Sequence, residues 1–538
     1  MILLWGSNAR EAHPIFFHHI LKAIHSGARM YAVDPRRTTS AKWADTWLGL
    51  NVGSDVALAN GMAREIIYAG LHNTEFIERA TSGFEAYVAA VEPYTLERAE
   101  ALSGVPADVI QDVAHTYARA DRAQICWTLG ITEHHNAVDN VLALINLALL
   151  TGNVGRYGAG LNPLRGQNNV QGGGDMGAIP NRLPGFQDME TDPEAVAKFE
   201  KAWGAKIQSK YGLHMTEMFE AMERDELTTL FVLGENPVQS DADAHHVRHL
   251  LEGLDHLVVQ DIFRTATAEM ADVVLPASAS WCEAEGTVTN SERRVQRVRA
   301  ALKPPGQARD DIHIMLDLAA RLGHEWEYGS SEDVWNELRS LAPNHAGMSY
   351  ARLEELGGIQ WPCFDEDTLE ETFLHGRLWK EPLEGPAAVF HAVDDSPPTE
   401  ELSEEFPLRL TTGRRLDSFN TGVQTGGYSS PLRRGEELEI SVADAEDLGV
   451  TTGDRVRVSS ARGNVVAPVR IDPSLRPGLT FMTLHFPDEV ETNLLTVNAT
   501  DPKSGTAEFK ATAIRVDPIA PAEPEEVAAA GTTAGQPT

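Results

Sequence analysis

Residues 2–36, ILLWGSNAREAHPIFFHHILKAIHSGARMYAVDPR, decide the fold class. Ile2–Trp5 is continuously apolar, as a strand covered on both faces of a parallel sheet must be. Ile15, Phe16, Ile20 and Ile24 then recur at helical spacing, and a second apolar run, Met30–Val33, completes a βαβ unit. Both strands end in polar turns, Gly6-Ser7-Asn8 and Asp34-Pro35-Arg36, at the carboxyl edge where open α/β sheets bind ligands. Asp34 lies 26 residues after Asn8, near the offset at which an acid meets a nucleotide ribose. No GxGxxG follows the first strand, so a plain NAD site is not supported. At this point a turn-forming role and a ribose-binding role are both open for Asp34.

Working outward, "NVGSDVALANGMAREIIYAG" predicts a helix capped by Ser54 or Asp55, followed by a long helical stretch closing on "TGNVG". The segment Gly160–Ala178, GLNPLRGQNNVQGGGDMGA, is expected to be neither helix nor strand. Its glycines let a ligand approach the main chain, its amides suit a large heterocycle, and Arg165 is the local anion binder. A self-satisfied structural loop is the alternative. Near Leu230 the strand–turn–helix pattern restarts, with "GENPVQSD" in the place of "GSNAREAHP". Residues 383–405 are acidic and proline-bearing, a connector. Valine-rich alternating strands with a turn at Gly453-Asp454 follow, as in a β-barrel. The last stretch should be disordered.

The chain has 538 residues, enough for roughly three or four domains. A net charge of −34 disfavours nucleic acid and anionic membrane as partners. No segment has the apolar length to cross a bilayer. Cys126, Cys282 and Cys363 are scattered, fitting neither a disulfide framework nor a CxxC metal motif, and point to a reducing cytosol. His13, His18 and His19, and the pair His134 and His135, lack the HExxH spacing of a helical zinc site.

Taken together, "LWGSNAREAHP", "DPR", "LLTGNVGRYGAGLNPLRGQNNVQGGGDMGA", "LGENPVQSDAD", "VVQDIFRTATAEMADVVLPASAS", "EGTVTNSERRVQ", "LGVTTGDRVRVSSARG" and "DPKSGTAEFK" resemble the catalytic alpha subunit of molybdenum-dependent formate dehydrogenases, in the molybdopterin oxidoreductase superfamily. The resemblance implies two Rossmann-like doubly wound α/β domains and a double-psi-type β-barrel. The corresponding divisions are 1–167 and a partial second α/β domain at 168–280, each binding one molybdopterin guanine dinucleotide. A connecting region at 281–385, a cofactor-capping barrel at 386–517 and a tail at 518–538 follow.

It further implies that a molybdenum or tungsten ion sits between the two dinucleotides. Asn8, Asp34, Arg36, Gly53, Asp55 and Gly130 would grip one guanosine and its pyrophosphate, and Asn236, Ser240 and Asp311 the other. Gln167, Arg414, Asn420, Asn493 and Lys510 would close around the cofactor. Arg165 matches the catalytic arginine beside the metal, whose guanidinium can hold both oxygens of formate. The implied reaction is two-electron oxidation of formate to carbon dioxide, with electrons passed to an acceptor subunit or a ferredoxin. A nitrate reductase sharing the cofactor, or a non-catalytic cofactor-binding chain, are the alternatives.

The sequence departs from the family pattern in three places: "QGGGDMGA" stands where relatives have "QGACDMGA", and Glu133 and Arg415 replace an expected amide and acid. The four-cysteine 4Fe-4S motif and the selenocysteine or cysteine metal ligand followed by histidine, which open complete enzymes of this class, are not found, so no metal ligand is assigned here. The expectation is a chain lacking its N-terminal region, with apolar surface exposed on the second α/β domain and no activity by itself.

Overall fold

The computed structural model describes residues 1–280, 282–367, 373–416, 418 and 435–519. Asn420 and residues 520–538 of the expected tail lie outside them. The opening stretch forms strand β1 (Ile2–Trp5), helix α1 (Pro14–His25) and strand β2 (Met30–Val33). Pro14 starts α1 at a position whose N–H has no helical partner anyway. With β3 (Thr46–Leu48), β4 (Gln124–Trp127) and β5 (Gly160–Pro163) they make a parallel sheet in the order β3-β2-β1-β4-β5. The winding reverses between β1 and β4, which opens a crevice at their carboxyl ends.

Three local expectations are corrected. The helical stretch is interrupted by β4, whose apolar run Ile125–Trp127 merges with the helical periodicity on either side. The glycine-rich segment contains β5 and a short helix, Val170–Asp175, because β5 is held by backbone pairing to β4, which asks little of the side chains. Neither Ser54 nor Asp55 caps helix α2 (Asp55–Tyr68) through its side chain. Ser54 Oγ donates to the Asn51 carbonyl at 2.7 Å, and Asp55 Oδ1 accepts the indole N–H of buried Trp5 at 2.7 Å. A buried indole must find an acceptor, and that requirement takes Asp55.

The first core gathers Leu3, Val33, Leu58, Met62, Ile110 and Leu147, and α2 runs through it almost wholly buried. Residues 388–393 cross back over this domain. Ala388–Val389 pairs in parallel with Thr81–Ser82, Phe390 and Val393 enter the core, and Asn60 and Asn146 donate to the carbonyls of Val393 and His391.

A second parallel sheet, in the order β8-β7-β6, comprises β6 (Thr229–Leu233), β7 (His256–Asp261) and β8 (Val273–Pro276). Helix α3 (Ala244–Glu252) packs on it through Val247 and Leu251, while Phe231, Leu233, Val273 and Val274 are exposed. An antiparallel sheet of β9 (Gly286–Thr289), β10 (Arg294–Val298) and β11 (Ile359–Gln360) lies against the short helix Val170–Asp175 of the glycine-rich segment.

The C-terminal strands β12 (Leu408–Thr412), β13 (Leu438–Ile440), β14 (Arg455–Ser459), β15 (Asn464–Ile471), β16 (Leu479–Met482) and β17 (Thr512–Pro518) close into a barrel. Its interior is filled by Leu410, Ile440, Val456, Val458, Ala467 and Ile514. Full closure leaves no free sheet edge.

Candidate cofactor and substrate site

A cavity of about 430 Å³ lies at the switch point of the first sheet, walled by the ends of β1 and β4, the glycine-rich loop and the barrel. Asn8, Asp34, Arg36, Gly53, Asp55 and Gly130 line it from the first domain. Arg165 and Gln167 enter from the glycine-rich loop, Ser240 from the second domain, and Arg414 and Lys510 from the barrel domain. Positions up to 502 residues apart in sequence are thus brought to one cavity.

Close backbone approach shapes its floor. A Cβ on Gly130 would stand 2.6 Å from Gly6 Cα, and Gly6 itself has φ +55. The two turns leaving β1 and β4 therefore touch as bare backbone.

Several of the charged residues at the cavity are paired with one another or with neighbours. Burial pushes the Asp34 carboxyl up to about 6 despite nearby Arg36, whose backbone N–H donates to Asp34 Oδ1 at 2.9 Å. Burial also raises Asp55, against the pull of His134 and the Trp5 hydrogen bond. The Arg36 guanidinium stacks 3.4 Å from the Phe481 ring centroid and lies 3.6 Å from Glu439. Lys510 Nζ donates to the Thr412 carbonyl at 3.1 Å and lies 2.5 Å from Glu133, which lines the same wall. Arg414 donates to the carbonyls of Ser418 and Ala12. Below this wall, buried Glu508 sits 3.4 Å from His134 and 3.5 Å from His135, joining the first domain to the barrel domain.

Asn236, Asp311 and Asn493 stand outside the lining. Asn236 Oδ1 accepts from the backbone N–H and hydroxyl of Thr267, organising the turn after β6. Asp311 accepts from Gln260 at 2.6 Å, and Asn493 donates to the carbonyls of Gln239 and Ser240. Asn236 follows β6, Asp311 is tied to Gln260 at the carboxyl end of β7, and Asn493 is tied to Ser240.

Two contributors do not stand out within their motifs. His13 Nε2 donates to the Arg165 carbonyl at 2.7 Å, and its buried Nδ1 lacks a hydrogen-bond partner. Glu508 sits inside a quoted motif, yet nothing in its spacing marks it as the partner of two histidines.

The donor set suits a large anionic dinucleotide. Arginine and lysine can face phosphates, buried carboxylates can accept from a base or ribose, and exposed glycine backbone admits a flat heterocycle. His13 Nδ1 adds a buried, unpartnered polar atom in the cavity wall. A thiolate ligand for a metal is a different matter. Among the described residues no cysteine lines the cavity, and burial within β4 pushes the Cys126 thiol up to about 12. Among the described residues no cluster of three His, Cys, Asp or Glu side chains is arranged to hold a metal ion.

Residues 1–321 match the family described as molybdopterin oxidoreductase, and residues 408–513 match the molydopterin dinucleotide binding domain. The chain is 42% identical to a formate dehydrogenase alpha subunit of Methanococcus maripaludis, over 96% of this chain and 76% of that one. It is 36% identical to formate dehydrogenase H of Escherichia coli, over 97% and 73% respectively. Its fold is similar to that of acetylene hydratase from Pelobacter acetylenicus, with a TM-score of 0.74 at 20% identity, covering 96% of this chain and 78% of that one. The chain belongs to the molybdopterin oxidoreductase family, among its formate dehydrogenase alpha subunits.

Proposed function

We propose that this chain binds a bis(molybdopterin guanine dinucleotide) centre and positions formate for two-electron oxidation to carbon dioxide. The observation that carries the reading is the position of Arg165, on a loop that walls the same cavity as Asp34, Arg36, Asp55 and Lys510. The metal centre, molybdenum or tungsten, supplies the two-electron acceptor when bound.

The protein's own part is binding and orientation. Arg36, Arg414 and Lys510 offset the pyrophosphate charge, while Asp34 and Asp55 accept from the guanosine. Asn236, Ser240, Asp311 and Asn493 do the corresponding work at the second sheet. Arg165 takes both oxygens of formate in its planar fork, which aims the C–H bond away from the guanidinium and into the cavity. Such placement accounts for much of the rate enhancement open to a small substrate with no side groups to grip. Electrons leave to an acceptor subunit or a ferredoxin, and three free cysteines suit a reducing cytosol. Among the described residues no helix is long and apolar enough to cross a membrane.

The test is formate-dependent reduction of a viologen dye, alongside metal and guanine nucleotide content. Arg165→Lys should retain cofactor and lose at least about tenfold in kcat/KM, because the ammonium cannot hold both oxygens. Equal activity of the variant would refute the assignment.

A further inference from the structure

Arg165 is aimed by a chain of three side chains that reaches a distant part of the sequence. Its Nε donates to Gln171 Oε1 at 3.3 Å. Gln171 Nε2 donates to Asp175 Oδ1 at 2.9 Å, and Asp175 Oδ2 accepts the indole N–H of Trp361 at 2.7 Å. Arg165 is exposed, whereas Asp175 is 2% exposed, so the relay runs from an open guanidinium to a buried carboxylate.

The far end is itself fixed. Trp361 N–H donates to the Arg293 carbonyl at 3.0 Å, and the Arg293 guanidinium lies 5.1 Å from the indole centroid and donates to the Trp361 carbonyl. The helix carrying Gln171 and Asp175 is docked in turn by Asn169, whose Oδ1 accepts from the Thr289 N–H of β9 at 2.9 Å. A Cβ on Gly172 would press on Asn169 Oδ1 and push that docking amide aside.

We propose that Gln171, Asp175 and Trp361 are positioning residues that set the orientation of Arg165 for its carboxylate substrate. The proposal rests on the reading of Arg165 given above. A long guanidinium at a cavity mouth has many rotamers, and engaging Nε leaves both terminal nitrogens for a ligand while fixing the plane of the fork. Burial raises the Asp175 pKa, opposed by the Gln171 and Trp361 hydrogen bonds and by the Arg165 and Arg293 charges, which together favour its anionic form.

The polarity of the relay supplies the test. Both Asp175 oxygens accept, so Asp175→Asn must lose one of its two links. In Gln171→Glu with Asp175→Asn, the new carboxylate accepts from Arg165 and from the new amide, whose oxygen still accepts from Trp361. Every link is restored at unchanged net charge.

Affinity for acetate, a carboxylate with no hydrogen on its carboxyl carbon, is measured by calorimetry on the cofactor-loaded full chain. Asp175→Asn and Trp361→Phe should each weaken binding about tenfold, and the double swap should recover most of it. In an Arg165→Ala background the relay variants should have no further effect. The relay is overturned if Asp175→Asn and Trp361→Phe bind like the parent while Arg165→Ala does not, or if the double swap binds no better than Asp175→Asn alone. Should Arg165→Ala itself leave acetate affinity unchanged, it is the substrate reading of Arg165 that fails. Trp361→Phe keeps the ring, so a folding failure of Asp175→Asn leaves the proposal testable.

Discussion

The His13 ring donates through Nε2 to the backbone carbonyl of Arg165 at 2.7 Å, tying the start of the first helix to the loop that lines the cavity. A carbonyl only accepts, so Nε2 carries the proton and the neutral ring presents Nδ1 as a lone pair. Burial and nearby Arg414 hold the His13 pKa below its usual value, against that hydrogen bond.

His13→Ala should therefore loosen the Arg165 backbone and weaken carboxylate affinity by about 1 kcal/mol, roughly fivefold. His13→Gln, which keeps a donor amide, should lose less. Acetate calorimetry on the two variants checks the order, and equal losses would show that donation to the carbonyl is not what matters.

Gly130→Ala places a methyl 2.6 Å from the Gly6 Cα and carbonyl oxygen, with no flexible side chain to yield. The expected cost is about 2 kcal/mol or more, seen as a lowered melting temperature and reduced guanine nucleotide content. The effect should be larger than for Gly173→Ala, whose Cβ would meet nothing within 4 Å.

Glu508 is fully enclosed between His134 and His135. Burial disfavours its charge, but the charge of His134 and the His135 backbone N–H, which donates to Glu508 Oε2 at 3.0 Å, prevail and hold its pKa well below the usual range. His134 is raised: burial lowers it, and Glu508 and Asp55 outweigh that. Glu508→Gln should cost about 3 kcal/mol, since it strands a buried imidazolium. Parent stability from Glu508 is present above its ordinary pKa and lost as pH falls through the depressed one. That from His134 is complete below about 6.5 and lost as pH rises through its raised value. Urea unfolding across pH should show both limbs shrink in the variant.

His345 is buried, neither ring nitrogen has a hydrogen-bond partner, and burial pushes its pKa down to about 4. The unfolded chain binds this proton below about 6.5 while the folded one refuses it until about 4, so stability falls across that window as pH drops. The loss is about 3 kcal/mol from this residue once pH is below 4. His345→Phe, against the rings of Trp335 and Trp361, should flatten that part of the acid limb. An unchanged pH profile would exclude His345 as its source.

The βαβ opening, the restart near Leu230 and the valine-rich barrel are legible because burial pattern alone separates a covered strand from an amphipathic helix. The polar turns after β1 and β2 are legible for the same reason, since a parallel sheet presents its strand ends as loops. Strand β4 escaped because its apolar run, Ile125–Trp127, merges with the helical periodicity on either side, and β5 because backbone pairing holds it whatever its side chains. Asp55 looks like a cap in sequence and is an indole acceptor in the fold.

By itself, then, the sequence determined the α/β and barrel architecture, the strongly negative net charge, and the set of polar residues from which Asp34, Arg36, Arg165 and Lys510 come. Only the tertiary structure decided which of them meet. Asn236, Asp311 and Asn493 stand beside the second sheet rather than in the cavity, His13 reaches across to Arg165, and Trp361 supports a carboxylate 186 residues earlier. Local periodicity records which face of an element is buried. Hydrogen-bond partners distant in sequence are chosen by packing, because a buried donor takes whichever acceptor the fold brings within reach.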